Sequence, residues 1–251
     1  MSSPTIEVDW LLQAGFRLRG PSATVVVDAY LSDRCAAVYG LQRRSAPPVA
    51  AEDLGADIVL VSHWHEDHLD LATVLTALDR GATVLAPPSC IDRIQGAGGP
   101  TNRLRAIRAG ETDRLDGVEI TAVPARHAVP GYLTEDAVGY VVELGGLRIY
   151  HSGDTDYDRS LVSAGDRPLD LVLVCVNGTG GNMNAAEAAV LVHQLAPRTA
   201  MPMHVGLWTD AGYGAGAATA VDDFAHLCGR LAPGTTVVRP DPDTPFVLRS
   251  R

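Results

Sequence analysis

The sequence predicts an α/β protein made of two similar β-rich halves, each with helices on its outer face. Three observations predict it. Short apolar runs of strand length recur along the chain. Helical patterns follow groups of strands, twice over, without strict β-α-β alternation. Apolar residues make up 46% and charged residues 20% of the 251 positions, enough for a core and unlike a disordered chain. No tandem repeat or low-complexity tail stands out, so one unit over residues 1–251 is expected.

The elements follow in order. Strands are expected at 6–10, 16–18 and 24–28, then a buried one at 58–61. A helix over 71–78 has Asp70 as its N-cap and Gly81 as its stop. Further strands fall at 83–86, 118–123, 138–144 and 147–150. Gly145-Gly146 between the last two is a two-residue hairpin signal. A strand at 171–176 precedes a glycine-rich loop and a helix over 184–195. There Asn184 and Glu187 have capping-box spacing. A strand at 199–203, a helix near 218–227 and strands at 235–238 and 246–248 complete the chain. The stretch 32–56, with Arg43-Arg44 and Pro47-Pro48, reads as a long ordered loop of the kind that shapes a site.

Charge and composition exclude several functions. The formal net charge is −10, and all 20 basic residues are arginine. Without lysine there is no Schiff-base chemistry, no covalent pyridoxal attachment and no P-loop lysine. An acidic chain also lacks the basic face that nucleic acids demand. No run approaches the ~18 apolar residues of a membrane helix, and MSSPTIEVDW lacks a basic region followed by an apolar run, so no secretory signal is expected. Cys35, Cys90, Cys175 and Cys228 lie far apart, which reads as buried free thiols in a reducing cytoplasm.

The chemistry concentrates in HWHEDH at residues 63–68, directly after a buried strand. Three of the eight histidines fall within six residues, with an aspartate among them. Imidazole is the commonest protein metal ligand, and carboxylate adds a hard oxygen donor. Lone histidines at 151, 193 and 226 read as ordinary core or surface residues, and Trp64 as packing beneath the motif loop.

With these residues the chain resembles the metallo-β-lactamase superfamily over nearly its whole length. The resemblance implies a four-layer αββα sandwich with a metal centre at the edge of its two sheets. It adds His127 in ARHAVPGY, Asp154 in YHSGDTDYD and His204 in MPMHVGLW to the motif. It implies one metal on His63, His65 and His127, a second on Asp67, His68 and His204, and Asp154 between them. Asp28 in VVVDAYLSD would brace the motif loop. Asp70 would cap its helix or support the site, capping being favoured. The two ions would be zinc or manganese, with iron also tolerated. Asp67 and Asp154 would be the catalytic carboxylates around a metal-bridging hydroxide.

Within that superfamily the chain looks most like the L-ascorbate-6-phosphate lactonase branch. DAYLSD, SHWHEDHLD, GDT, NGTGGNM and PMHVGLW carry this similarity. The implied activity is opening of a lactone or ester of a small, polar, anionic substrate such as a sugar lactone phosphate. Arg43, Arg44 and Arg126 are candidates to bind the anion. Asn177 and Trp208 are candidates to hydrogen-bond the substrate and wall the pocket. Phosphodiester hydrolysis, a specialised biosynthetic hydrolase and a non-catalytic metal-dependent sensor or scaffold remain alternatives. A small-molecule partner is expected, with no nucleic acid and no membrane. Homo-oligomers are common in the branch.

Overall fold

Alternating valine, isoleucine and leucine build the first sheet. The computed structural model describes residues 4–129, 132–209 and 217–250. This sheet contains β1 (Thr5–Trp10), β2 (Phe16–Arg19), β3 (Thr24–Val27), β4 (Ile58–Leu60), β5 (Thr83–Ala86), β6 (Leu104–Ala106) and the last strand, β16 (Phe246–Arg249). Their order is β16-β1-β2-β3-β4-β5-β6. The pairs from β3 to β6 are parallel and the others antiparallel.

The second sheet has the order β15-β14-β13-β12-β11-β8-β7. Its strands are β7 (Thr112–Leu115), β8 (Val118–Pro124), β11 (Val138–Leu144), β12 (Leu147–His151), β13 (Leu171–Cys175), β14 (Thr199–Met203) and β15 (Thr236–Val237). A small ribbon, β9 (Ala128–Val129) with β10 (Tyr132–Leu133), stands apart. Gly145 and Gly146 both take positive φ, 56° and 77°, at the β11–β12 hairpin. A type I′ turn needs that geometry at both central residues.

Side-chain alternation sorts the layers. Ile58 and Leu60 face the core between the sheets, where Phe16, Ile120 and Val142 meet them. Val59, one residue out of phase, faces the other way, towards α2 (Leu71–Asp79) and α3 (Pro88–Gly96). Burying such a side chain contributes about 1.5–3 kcal/mol. The helices α4 (Ala185–Leu195) and α5 (Ala217–Leu231) contribute Leu191, Val192 and Phe224 to the core that includes β13 and β14. The result is two mixed sheets with flanking helices, the αββα sandwich expected from the motifs.

Two expectations need correction. The stretch 32–56 is not all loop: it holds a short helix, α1 (Arg34–Tyr39), and a 3-10 turn at Ala51–Asp53. Helix α3 has no counterpart among the expected elements, although Pro88 sits at its first turn, where its fixed φ favours helix entry. By contrast Asn184 and Glu187 form the expected capping box on α4.

The two sheets also clamp the motif loop. The Tyr140 hydroxyl on β11 donates to the Val61 carbonyl at 2.8 Å, fully buried. The Val138 N–H donates to the Ser62 carbonyl at 3.0 Å. The segment that follows β4 is therefore tied across the sandwich before its histidines begin.

Candidate metal centre

Four strands of the two sheets end at one edge. The HWHEDH loop leaves β4, His127 lies after β8, Asp154 after β12 and His204 after β14. Their side chains converge there. Three overlapping donor groups lie within 4.8 Å: His63 with His65 and His127, His63 with His68 and Asp154, and Asp67 with His68 and His204.

Individual contacts are shorter. His63 Nε2 and His127 Nε2 lie 3.0 and 3.1 Å from His65 Nδ1. His68 Nε2 lies 3.2 Å from His204 Nε2 and 3.3 Å from Asp154 Oδ1. His204 Nε2 is 3.1 Å from Asp154 Oδ2 and 3.4 Å from Asp67 Oδ2. Two nitrogens bound tetrahedrally to one ion at ~2.0–2.1 Å stand about 3.3–3.4 Å apart. The donor spacing fits that requirement.

Hydrogen bonds behind the rings decide which nitrogen faces inward. Asp28, fully buried, accepts from Ser62 N at 2.7 Å and Ser62 Oγ at 2.6 Å, and lies 2.8 Å from His68 Nδ1. Because Ser62 Oγ donates to Asp28, it accepts from His63 Nδ1 at 2.9 Å. His127 Nδ1 faces the Gly181 carbonyl at 3.3 Å. Each Nδ1 is thus a donor, leaving the Nε2 lone pairs of His63 and His127, and the Nε2 atom of His68, for the shared space. Asp28 thus ties Ser62 to His68.

The charges are mutually dependent. Burial keeps His63 neutral, its pKa well below the usual imidazole value, helped by His68 and His127. Burial likewise lowers His127. At His204 burial acts the same way, but Asp154 and Asp67 outweigh it and raise its pKa to about 9. His68 is raised well above the usual value, because Asp154, Asp67 and Asp28 overcome its burial. Burial opposes ionisation of Asp154 too, yet His204 and His68 hold its carboxyl well below the usual range. The buried carboxylates demand positive charge, which protons or cations can supply.

Asp154 Oδ1 is buried without a hydrogen-bond partner, while Oδ2 accepts from Asn182 Nδ2 at 2.8 Å. An orphaned carboxylate oxygen among inward-facing imidazole nitrogens fits a cation site. Asn182 lies in the NGTGGNM motif, though nothing in the sequence marks it as the partner of Asp154, and Gln13 lies in no motif. Gln13 Nε2 donates to Asp67 Oδ2 at 2.9 Å and lies 3.3 Å from both ring nitrogens of His204. Its carbonyl accepts the His204 N–H at 3.0 Å. A glutamine in a hairpin turn belongs to no motif; only the fold brings it here.

Backbone strain gathers at this edge. Among the described residues, six non-glycine residues have positive φ, and four of these are Leu12, Gln13, Asp28 and His204. Such conformations cost about 1–3 kcal/mol each and persist where surrounding structure imposes them. Gly153 also takes positive φ, and a Cβ there would stand 2.7 Å from the Val138 carbonyl. His151 ties the neighbouring turns together: Nε2 donates to Ala14 O at 2.8 Å and Nδ1 accepts from Gly153 N at 3.1 Å.

A cavity of about 330 Å³ opens on the cluster. His65, Asp67, His127, Asp154 and His204 reach it, as do Asn177, Asn182 and Trp208. Cys35 also lines it; burial and then Asp67 push its thiol up, so it is neutral and no nucleophile. Asn177 Nδ2 sits 3.3 Å from Thr179 Oγ1, and its Oδ1 is buried without a partner.

The three arginines expected beside the substrate lie elsewhere. Arg43 stacks on the Tyr30 ring at 4.2 Å and donates to the Tyr30 and Ser32 carbonyls. Arg44 Nε donates to the Trp208 carbonyl at 2.6 Å. Arg126 projects into solvent, 3.8 Å from Asp158. None of the three lines the cavity. Asp70 also departs from expectation: it occupies the N-cap position of α2 but makes no backbone cap. Its carboxylate instead accepts from Leu31 N, Ser32 N, Ser32 Oγ and Thr73 Oγ1. It thereby fastens the loop that follows Asp28. Trp64 packs against the α2–α3 layer under the Arg93 guanidinium, 4.2 Å from its ring.

Comparison with known proteins agrees with this architecture. Residues 7–204 match the family model of the β-lactamase superfamily domain. A UPF0173 metal-dependent hydrolase of Thermococcus onnurineus is 34% identical over 207 residues, covering 81% of this chain and 86% of that protein. One from Pyrococcus furiosus is 34% identical over 232 residues, covering 90% and 94%. Among solved structures, Igni18, a metallo hydrolase of Ignicoccus hospitalis, superposes with a TM-score of 0.78 at 19% identity, covering 98% of this chain and 100% of that one. Fold, donor cluster and sequence relatives lead to one conclusion: this chain belongs to the metallo-β-lactamase superfamily and is one of its metal-dependent hydrolases.

Proposed function

We propose that the protein hydrolyses a carboxylic ester or lactone of a small molecule, with two divalent cations held at the sheet edge. His63, His65 and His127 would hold one, and Asp67, His68 and His204 the other, with Asp154 between them. Zinc suits the imidazole-rich set, and the carboxylates also accept manganese or iron. Bound there, such cations act as Lewis acids and lower the pKa of water from ~15.7 to ~7. The observation that carries the reading is the convergence of seven donor side chains within three groups of 4.8 Å beside a cavity.

The chain's own residues do the positioning. Asn182 fixes Asp154 through Oδ2 and leaves Oδ1, buried 3.3 Å from His68 Nε2, without a hydrogen bond and available to a cation. Gln13 fixes Asp67 in the same manner. Water adds to the acyl carbon as the acyl C–O bond breaks; one of its protons passes to the leaving alkoxide and the other is released as the acid ionises. An ester gives a carboxylate and an alcohol, and a lactone gives a single hydroxycarboxylate. Acyl rather than phosphoryl chemistry is favoured because, among the described residues, no arginine reaches the cavity to clamp a phosphoryl group. Four buried, unpaired cysteines suit a cytoplasmic setting.

The test is turnover by the metal-loaded protein of γ-lactones and aryl esters beside bis(p-nitrophenyl) phosphate, in wild type and Asp154→Asn. The expected result is ester or lactone hydrolysis that falls by about 100-fold or more in the variant. Turnover of the phosphodiester alone, equal rates in both proteins, or no turnover at all would contradict the proposal.

A further inference from the structure

The charge and shape of the cavity say more about the substrate than the motifs do. Cys35, Tyr39, Leu41, Val129 and Trp208 form an apolar wall facing the donor cluster. Asn177, Thr179 and Asn182 supply polarity without charge. Among the described residues, the charged side chains in the lining are the candidate metal ligands themselves. Among the described residues no arginine lines the cavity, and the chain contains no lysine. Of the remaining residues, only Arg251 is basic.

The nearest arginines are otherwise engaged. Arg43 is buried on Tyr30 and Ser32, Arg44 holds the Trp208 carbonyl, and Arg34 lies 3.5 Å from Glu66. An anionic group set away from the donor cluster would therefore be desolvated against leucine, valine and indole with no counter-charge. Burying an ion without a partner is strongly unfavourable. The chain's formal charge of −10 adds a repulsive field. The volume, about 330 Å³, is at the small end of the ~300–1,000 Å³ range of small-molecule sites.

We infer that the substrate is a small uncharged ester or lactone with an apolar or aromatic body. That body lies against Trp208 and Leu41, and a hydroxyl or N–H carried on it donates to Asn177 Oδ1 or Asn182 Oδ1. This rests on the ester-hydrolase reading and replaces the sugar-phosphate-like substrate that the motifs suggested. Trp208 is a rigid wall. It is 2% exposed, packs 5.6 Å from the Tyr30 ring, and pairs in a β-bridge with Arg43. The two unpartnered amide oxygens, Asn177 Oδ1 and Asn182 Oδ1, are acceptors for a neutral donor and repel an anion.

The experiment uses the full-length metal-loaded protein and two matched pairs. Phenyl acetate and 4-acetoxybenzoate are compared by kcat/KM. Their non-hydrolysable counterparts, acetophenone and 4-acetylbenzoate, are compared by equilibrium binding, read by ligand-observed NMR. The neutral member of each pair should win by about tenfold or more. Leu41→Arg, which places a guanidinium in the apolar wall, should reverse or abolish that preference. Trp208→Ala should weaken binding of acetophenone; if that variant misfolds, Leu41→Arg still decides. Equal or tighter binding of the carboxylate by wild type would overturn the inference, as would a preference unmoved by Leu41→Arg. If neither ester is hydrolysed, the ester-hydrolase reading fails while the ketone pair still judges the cavity's preference.

Discussion

Most of the candidate ligands are held from behind by hydrogen bonds, among them His63, Asp67, His68, His127 and Asp154. Asp28 is the hub: it binds Ser62 twice and His68 once, and through Ser62 it orients His63. Residues behind metal ligands are worth about 10–100-fold in metal affinity. Asp28→Asn should lower zinc affinity by about that factor, measured by competition with a chromophoric chelator; unchanged affinity would remove Asp28 from this role. The histidines also make metal uptake a proton exchange. Without a metal, Asp154 and Asp67 outweigh burial and push the His204 pKa up to about 9, so near neutral pH its ring carries a proton. A coordinating imidazole must lose it. Metal binding should therefore release protons and weaken as pH falls from about 8 to 6. Calorimetry in buffers of different ionisation enthalpy measures this, and a buffer-independent heat would contradict it.

At the scale of elements, strand ends and tight turns place the donors. The loop from β12 into Asp154 relies on Gly153, where an added Cβ would stand only 2.7 Å from the Val138 carbonyl oxygen. Gly153→Ala should cost about 2–4 kcal/mol in chemical denaturation and lower metal content in the same protein. Full stability with full metal content would show the close approach to be unimportant. Much of this level was legible in the sequence. Val138–Leu144, Thr83–Ala86 and Thr199–Met203 match the expected strands because apolar runs of strand length are bounded by turn residues. The His/Asp motif was legible because its spacing is dense. The turn at Gln13 was not, since no local pattern marks a residue whose partners are 54 and 191 positions away. The arginines were misplaced for a similar reason. Arg43 and Arg44 look available in a polar loop, but Tyr30, Ser32 and Trp208 engage them only after the chain folds. Asp70 looked like a cap because it directly precedes a helix, yet two backbone N–H groups of the 31–32 segment outcompete the helix for its oxygens.

For the whole molecule, two sheets share one core and bring their loops to one edge. Donors come from β4 on the first sheet and from β8, β12 and β14 on the second. Cations bound among these donors would therefore link both halves of the sandwich. Binding to the folded state alone stabilises it by about 2.7 kcal/mol at a free metal concentration 100 times Kd. Chelation should lower the Tm, and readdition of zinc or manganese should restore it. A Tm indifferent to metal would mean that the cluster does not bind one in the folded protein. No helix among the described residues is long and apolar enough to cross a membrane.

The most direct measurement is anomalous diffraction from crystals of the protein grown with zinc or manganese, recorded on either side of the metal's absorption edge. Two neighbouring peaks are predicted, one among His63, His65 and His127 and the other among Asp67, His68 and His204, with Asp154 between them. Peaks located away from these side chains, or none at all in metal-saturated crystals, would contradict the account.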